Sequence, residues 1–166
     1  MSGMVLWLAQ GLGVGRIPFA PGTFGSAVGL LWLLILMATG SFWLYLAGII
    51  VGIMLSVWLC GVAEKILQQT DPSSVVLDEI CAMPICFLAW VANDCFRKGR
   101  MPDPEAFFDS QNWIRTVLVF ALFRFFDIVK PWPVRQSQKL RGGWGVTVDD
   151  VLAAVYVAAL SLLFVR

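Results

Sequence analysis

The sequence predicts an all-α integral membrane protein, a helical bundle with about four to five membrane-embedded helices. Three observations predict it. Apolar residues make up 59% of the 166-residue chain, against about 45–50% in soluble domains, and mean hydropathy is +0.80. These residues gather into runs at 24–38, 42–63, 80–92, 113–126 and 151–165. No stretch shows the roughly ten-residue alternating segments of a membrane barrel, and an open sheet edge cannot lie in hydrocarbon, so helices must satisfy the backbone of these runs. One domain over residues 1–166 is the expectation at this length.

Taken in order, residues 1–12 read as a short interfacial or packed helix. With no basic residue before Arg16, they do not read as a cleaved signal peptide. Pro21-Gly22 makes a rigid turn, and Thr23 is placed to cap the helix of the first run. Thr39-Gly40-Ser41 turns the chain into 42–63, the one run that alone clearly reaches the ~20 residues needed to cross a ~30 Å core. Asp71 as N-cap and Pro72 at the first helical position predict a helix over 72–92, with Asp78 and Glu79 about two turns inside it. The stretch 93–112, with Arg97, Lys98, Arg100, Asp103 and Glu105, reads as a polar surface linker. Lys130-Pro131-Trp132-Pro133 ends the helix of the fourth run, with Trp132 suited to the interfacial aromatic belt. Thr147-x-x-Asp150 resembles a capping box and predicts a last helix running to Val165.

Composition removes several kinds of chemistry. Net charge is +1 and the basic residues form no long run, so nothing favours a nucleic-acid partner. Histidine is absent, which removes the commonest neutral-pH acid/base and metal ligand. Cys60, Cys81, Cys86 and Cys95 form no CxxC and read as small core hydrophobes. If all five runs cross, segments 1–23, 64–71 and 127–147 share one face and 93–112 lies on the other. Arg16, Lys65, Lys130, Arg135, Lys139 and Arg141 then oppose Arg97, Lys98 and Arg100, which places the motif-bearing face in the cytoplasm.

Against this background the acids stand out. Asp78, Glu79, Asp127, Asp149 and Asp150 lie against or within apolar stretches, where a carboxylate costs roughly 2.5–3.5 kcal/mol at a helix centre and is a functional candidate by default. Together they offer a hard, all-oxygen donor set of the kind that holds Mg2+. Four blocks surround them. In the first, residues 13–26, a Pro-Gly turn leads into a helix start whose N–H groups and dipole attract phosphate, with Thr23, Gly25 and Ser26 at hand. A plain turn ahead of a membrane helix accounts for it equally. The second runs from Asp71 through Ser73 and Ser74 to Asp78-Glu79, acids that either meet one ion or simply favour a helix N-terminus. The third, residues 123–133, puts Arg124 and Asp127 on one helix face, as an ion pair or as a phosphate fork beside a metal ligand, with Lys130 as a headgroup contact. In the fourth, Gly142-Gly143-Trp144-Gly145 delivers Asp149 and Asp150 to the last helix.

Written as patterns, the blocks are PxAPGTxGS, DxSxxVxDE, FRxFDxxKPxP and GGxGxxxDD. In this order and spacing, across residues 13–150, the chain resembles the phosphatidylglycerophosphatase A family. The resemblance implies an Mg2+-dependent phosphatase of the bacterial inner membrane, multi-pass, that converts phosphatidylglycerophosphate to phosphatidylglycerol. One departure is Ala82, where many members have Gly four residues after the Asp of the DE pair.

The residues also exclude competing phosphatase chemistries. The chain has no Cys-x5-Arg, no Asp-x-Asp nucleophile motif and no histidine. Metal-assisted hydrolysis is left, with Asp78, Glu79, Asp127, Asp149 and Asp150 as metal ligands, one of them free to act as base. Arg124 and Lys130 would hold the phosphate, aided by Thr23 and Ser26. Asp71 is a secondary candidate, better read as a cap. The alternative from another class is a small cation-coupled membrane transporter or scaffold using intramembrane carboxylates. It leaves the Arg124–Lys130 block and the glycine-rich turns without a purpose.

Overall fold

The computed structural model describes residues 2–163, and among them the secondary structure is helical without strands. The α-helices are α1 (Ser2–Ala9), α2 (Pro21–Met37), α3 (Phe42–Leu67), α4 (Leu77–Cys86), α5 (Leu88–Lys98), α6 (Trp113–Val129), α7 (Val134–Ser137) and α8 (Gly143–Ser161), with 3-10 turns at Gly11–Arg16 and Pro104–Phe107. Three segments are long and apolar enough to cross a membrane: α3, the joined α4–α5 pair over Leu77–Lys98, and α8. The shorter apolar α2 packs beside them. The four cysteines are free and three of them are buried, as the sequence led us to expect.

At the centre stands α4, packed against α2, α3, α6 and α8. Eight of its ten residues are buried, as befits a helix that is apolar all round. Pro84 lacks the N–H for its own turn, and the chain breaks at Phe87 before α5 resumes. The hydroxyl of the fully buried Tyr45 on α3 donates to the Pro84 carbonyl, tying the break to the neighbouring span. By contrast, α3 keeps Trp43, Ile50, Val51, Met54, Leu55 and Trp58 exposed. Such a continuous apolar face is what lipid covers.

The structure corrects four helix boundaries and the caps expected at Thr23, Asp71 and Thr147. The helix expected to start at Pro72 starts at Leu77, so Asp78 and Glu79 sit in its first turn rather than two turns inside. Tertiary pairing overrides the Asp-Pro signal. Val76 N–H donates to the Ala9 carbonyl, Ser74 lies against Gly15, and Asp71 takes a positive φ of 50°. Asp71 therefore caps no helix, and its own N–H donates to Glu64 Oε1 at 2.9 Å. The last helix begins at Gly143, four residues before the expected cap. Thr147 is fully buried inside it and shares a hydrogen bond with Ser56 at 3.0 Å. The expected end of that helix at Val165 lies outside the described residues. The polar stretch after residue 92 stays helical to Lys98, with Arg97 and Lys98 in the last turn, where the helix dipole favours cations. The N-terminal helix is shorter than residues 1–12 and stops at Ala9; Met1 is outside the described residues. Thr23 does not cap α2, because Ala20 holds the cap position and Pro21 begins the helix.

Candidate active site

Four helix ends meet in one cleft of about 350 Å3. The start of α2 contributes Pro21 and Gly22, the loop before α4 Asp71 to Ser73, and the first turn of α4 Asp78 and Glu79. The end of α6 contributes Arg124, Asp127 and Lys130, and α8 contributes Asp149 and Asp150. Two of these ends have local backbone features. The glycine-rich bend lets α8 begin early, so that Asp149 and Asp150 fall in its second turn, and Lys130 terminates α6 in the left-handed conformation.

Arg124 is the hub of one wall. Its Nη1 lies 2.9 Å from Glu79 Oε1, 2.8 Å from Asp127 Oδ2 and 3.3 Å from the Ser26 hydroxyl, which itself donates to the Gly22 carbonyl at 2.8 Å. The i,i+3 pairing of Arg124 with Asp127 is the one the spacing predicts. On the opposite wall Lys130 Nζ donates to Asp149 Oδ2. Gln138 Nε2 reaches the same oxygen at 3.1 Å and Asp71 Oδ2 at 3.2 Å. Burial pulls the Lys130 ammonium toward neutrality, but the hydrogen bond and charge of Asp149, with Asp127 and Asp71, outweigh it and hold Lys130 above the ordinary lysine value. Asp78 accepts the Glu79 N–H at 3.0 Å, and Asp78, Asp149 and Asp150 are 3–5% exposed.

The structure thus gathers all five expected acids, Arg124 and Lys130 into one cleft, with Ser26 touching Arg124 from behind. Thr23 is the exception and is not part of the lining. Asp71, read as a cap, lines the cleft instead. Gln138 was missed. It carries no sequence signal, because only the fold brings the short α7 region over α8.

Comparison with known proteins identifies the arrangement. The family model described as phosphatidylglycerophosphatase A matches residues 7–165. The chain belongs to the phosphatidylglycerophosphatase A family. It is 35% identical over 150 residues to "Phosphatidylglycerophosphatase A" of Haemophilus influenzae, covering 90% of this chain and 81% of the relative. It is 32% identical over 155 residues to the protein of that name in Escherichia coli, covering 92% and 78%. A Bacteroides thetaiotaomicron protein named "Putative phosphatidylinositol-3-phosphatase" is 35% identical over 153 residues, covering 90% and 86%. No solved structure matches the chain. Family membership makes the chain a phosphatase and excludes the transporter reading.

The all-oxygen donor set of the cleft has the chemistry that a hard divalent cation takes. The cleft holds six carboxylates against two cations. Glu79 Oε2 and Asp149 Oδ1 are buried without a hydrogen-bond partner, a condition costly enough that buried acceptors nearly always find one. Among the described residues, no three acidic or cysteine side chains converge tightly enough to hold one ion as they stand. Arg124 and Lys130 hold oxygens of Glu79, Asp127 and Asp149.

What approaches the glycines of the first block is the protein itself. A Cβ on Gly22 would overlap the Glu79 carboxylate and lie 2.9 Å from Arg124 Nη2, and one on Gly25 would lie 2.6 Å from Glu79 Oε2. Gly22→Ala is therefore expected to leave the fold intact, because a carboxylate can swing aside. It should lower turnover by up to about 10²-fold by breaking the Glu79–Arg124 geometry. Steady-state phosphate release beside an unchanged melting curve checks this; full activity would mean the Glu79 position is immaterial.

Proposed function

We propose that the chain hydrolyses the terminal phosphomonoester of phosphatidylglycerophosphate, releasing phosphatidylglycerol and phosphate, with Mg2+ as cofactor. The observation that carries this reading is the convergence of Arg124 and Lys130 with five buried or half-buried carboxylates in one cleft at a helix-bundle end. A guanidinium fork suits phosphate oxygens, and an all-carboxylate donor set suits Mg2+.

In this reading Arg124 and Lys130 bind the terminal phosphate, and Ser26 orients Arg124 from behind. Asp78, Glu79, Asp127, Asp149 and Asp150 are the residues that would hold the ion, one of them left free to act as base. When bound, Mg2+ neutralises phosphate oxygens and activates a water. One carboxylate of the cleft left free of the ion would take a proton from the attacking water as the phosphorus–oxygen bond to glycerol breaks in line, and the departing glycerol oxygen would take up a proton from solvent. Monoester hydrolysis is among the slowest uncatalysed reactions, with enzymatic accelerations up to ~10²¹. That demand explains why so much charge is concentrated in so small a cleft.

The cleft end carries Arg16, Lys65, Lys130, Arg135, Lys139 and Arg141, and the other end Arg97, Lys98, Arg100 and Arg115. In a bacterial inner membrane, the location the family resemblance implies, this bias favours the cleft facing the cytoplasm. The name of the Bacteroides relative motivates a second substrate, a 3-phosphorylated phosphatidylinositol, which also presents a phosphomonoester, on a secondary ring hydroxyl instead of the primary hydroxyl of glycerol.

The test is phosphate release by detergent-purified protein. Chelation is expected to abolish it and millimolar Mg2+ to restore it, with phosphatidylglycerophosphate turned over faster than phosphatidylinositol 3-phosphate. Undiminished turnover in chelator would remove the metal from the reading, and the reverse substrate preference would replace the substrate.

A further inference from the structure

A second cavity lies at the opposite end of the bundle. The helices fix its place. The α4–α5 segment runs from Asp78 and Glu79 at the cleft to Arg97 and Lys98, α6 returns from Arg115 to Asp127, and α8 runs from Asp149 to Ser161. Arg97, Arg115 and Ser161 all line this cavity of about 210 Å3.

Two helix faces build most of it. From α5 come Trp90, Asn93, Asp94 and Arg97, and from α6 Arg115, Leu118, Val119 and Leu122. Both sets follow the spacing of a single helical stripe. The cavity is basic at its outer end and apolar further in. Its charges do not cancel. Arg97, Lys98 and Arg115 face one carboxylate, Asp94, which already pairs with Lys98 at 2.7 Å. Neither Arg97 nor Arg115 forms an ion pair among the described residues.

The surroundings say what would cover them. Trp113 and Phe96 are 50% and 81% exposed at this level, the position of an interfacial aromatic belt. Beside the cavity, α6 turns Ile114, Val117 and Leu118 outward, each at least 40% exposed. A basic mouth at the interface, continuous with an apolar, outward-facing helix stripe, matches a molecule with an anionic head and a hydrocarbon tail. We propose that this cavity binds an anionic phospholipid of the surrounding bilayer, its phosphate between Arg97 and Arg115 and an acyl chain along Leu118 and Leu122. The site is separate from the phosphatase cleft, so it stands whether or not the substrate reading holds.

Native mass spectrometry of delipidated protein in detergent tests it. The probes are phosphatidylserine, an anionic phosphodiester that lacks a terminal phosphomonoester, and zwitterionic phosphatidylcholine. Wild type is expected to retain one phosphatidylserine at concentrations where phosphatidylcholine washes off. The Arg97→Gln/Arg115→Gln variant should bind phosphatidylserine on the order of tenfold or more weakly, whereas Asp149→Asn should bind it like wild type. Both arginines are exposed, so folding is expected to survive. Arg97→Lys/Arg115→Lys, which keeps the charge, should retain the preference for phosphatidylserine. Equal retention of the two lipids, undiminished binding in the Gln variant, or loss in Asp149→Asn would overturn the proposal. Displacement of the lipid by millimolar inorganic phosphate would reassign the cavity to free anions.

Discussion

Replacing Asp78 with Asn is expected to lower kcat by at least about 10³-fold, roughly 4 kcal/mol of transition-state stabilisation, without loss of stability. The two halves of this expectation come from the same geometry. Asp78 is 5% exposed in the first turn of α4, and its Oδ1 accepts the Glu79 N–H at 3.0 Å. Asparagine has the same shape and keeps an oxygen for that hydrogen bond, so local structure is preserved. What it loses is the charge. Asp78 shares the cleft with Glu79, Asp149 and Asp150, and removing one of several crowded acids relieves repulsion when no cation is bound. The melting temperature should therefore hold or rise while turnover collapses. Turnover within tenfold of wild type in a folded variant would take Asp78 out of the chemistry. Collapse of both activity and melting temperature would make it a structural residue.

The second large effect is on stability. A Cβ on Gly143 would overlap the Val57 carbonyl oxygen and lie 2.7 Å from the Gly61 amide nitrogen, both backbone atoms of α3. Backbone cannot swing aside as a side chain does, so Gly143→Ala must push α8 away from α3. Separation would also stretch the buried Ser56–Thr147 hydrogen bond of 3.0 Å and move Asp149 and Asp150, which ride on the same helix. We expect a loss of about 3 kcal/mol, the upper end of ordinary overpacking. Gly3→Ala on α1, where nothing lies within 4 Å of the added atom, should be neutral or stabilising by up to about 1 kcal/mol. Thermal unfolding of both variants in detergent checks the pair. Equal melting curves would show that α3 and α8 are not in contact along Gly61 and Gly143.

These two glycines mark where reading the sequence ends. The block containing Gly142, Gly143 and Gly145 is visible as a turn signal, and the sequence suggested a helix capped at Thr147. The actual start at Gly143 depends on a partner helix some eighty residues earlier in the chain, and local capping rules contain no trace of it. The same holds at Asp71-Pro72. As a local pattern it is a good helix start, yet Val76 gains more from the Ala9 carbonyl and from packing under Gly11 and Gly15 than from another helical turn. Arg124 and Asp127 were readable, because three residues along a helix is a distance that needs no tertiary knowledge. Thr23 was misassigned for the opposite reason. Its cap role depended on a helix boundary that Ala20 and Pro21 moved by a few residues.

By itself, then, the amino-acid order determined that the chain is helical, apolar enough for a bilayer, free of histidine chemistry and equipped with acids where hydrocarbon should be. Those properties follow from composition and short-range spacing, which each segment carries alone. Only the tertiary structure decided that Gly22, Glu79, Arg124 and Asp149 share a cleft with Gln138 bonded to Asp149 beside it, and that Arg97 and Arg115 frame a second cavity at the far end. The physical reason is that these neighbours lie on different helices, and helix–helix contact is set by which surfaces can approach closely, a property of pairs of segments and not of either one.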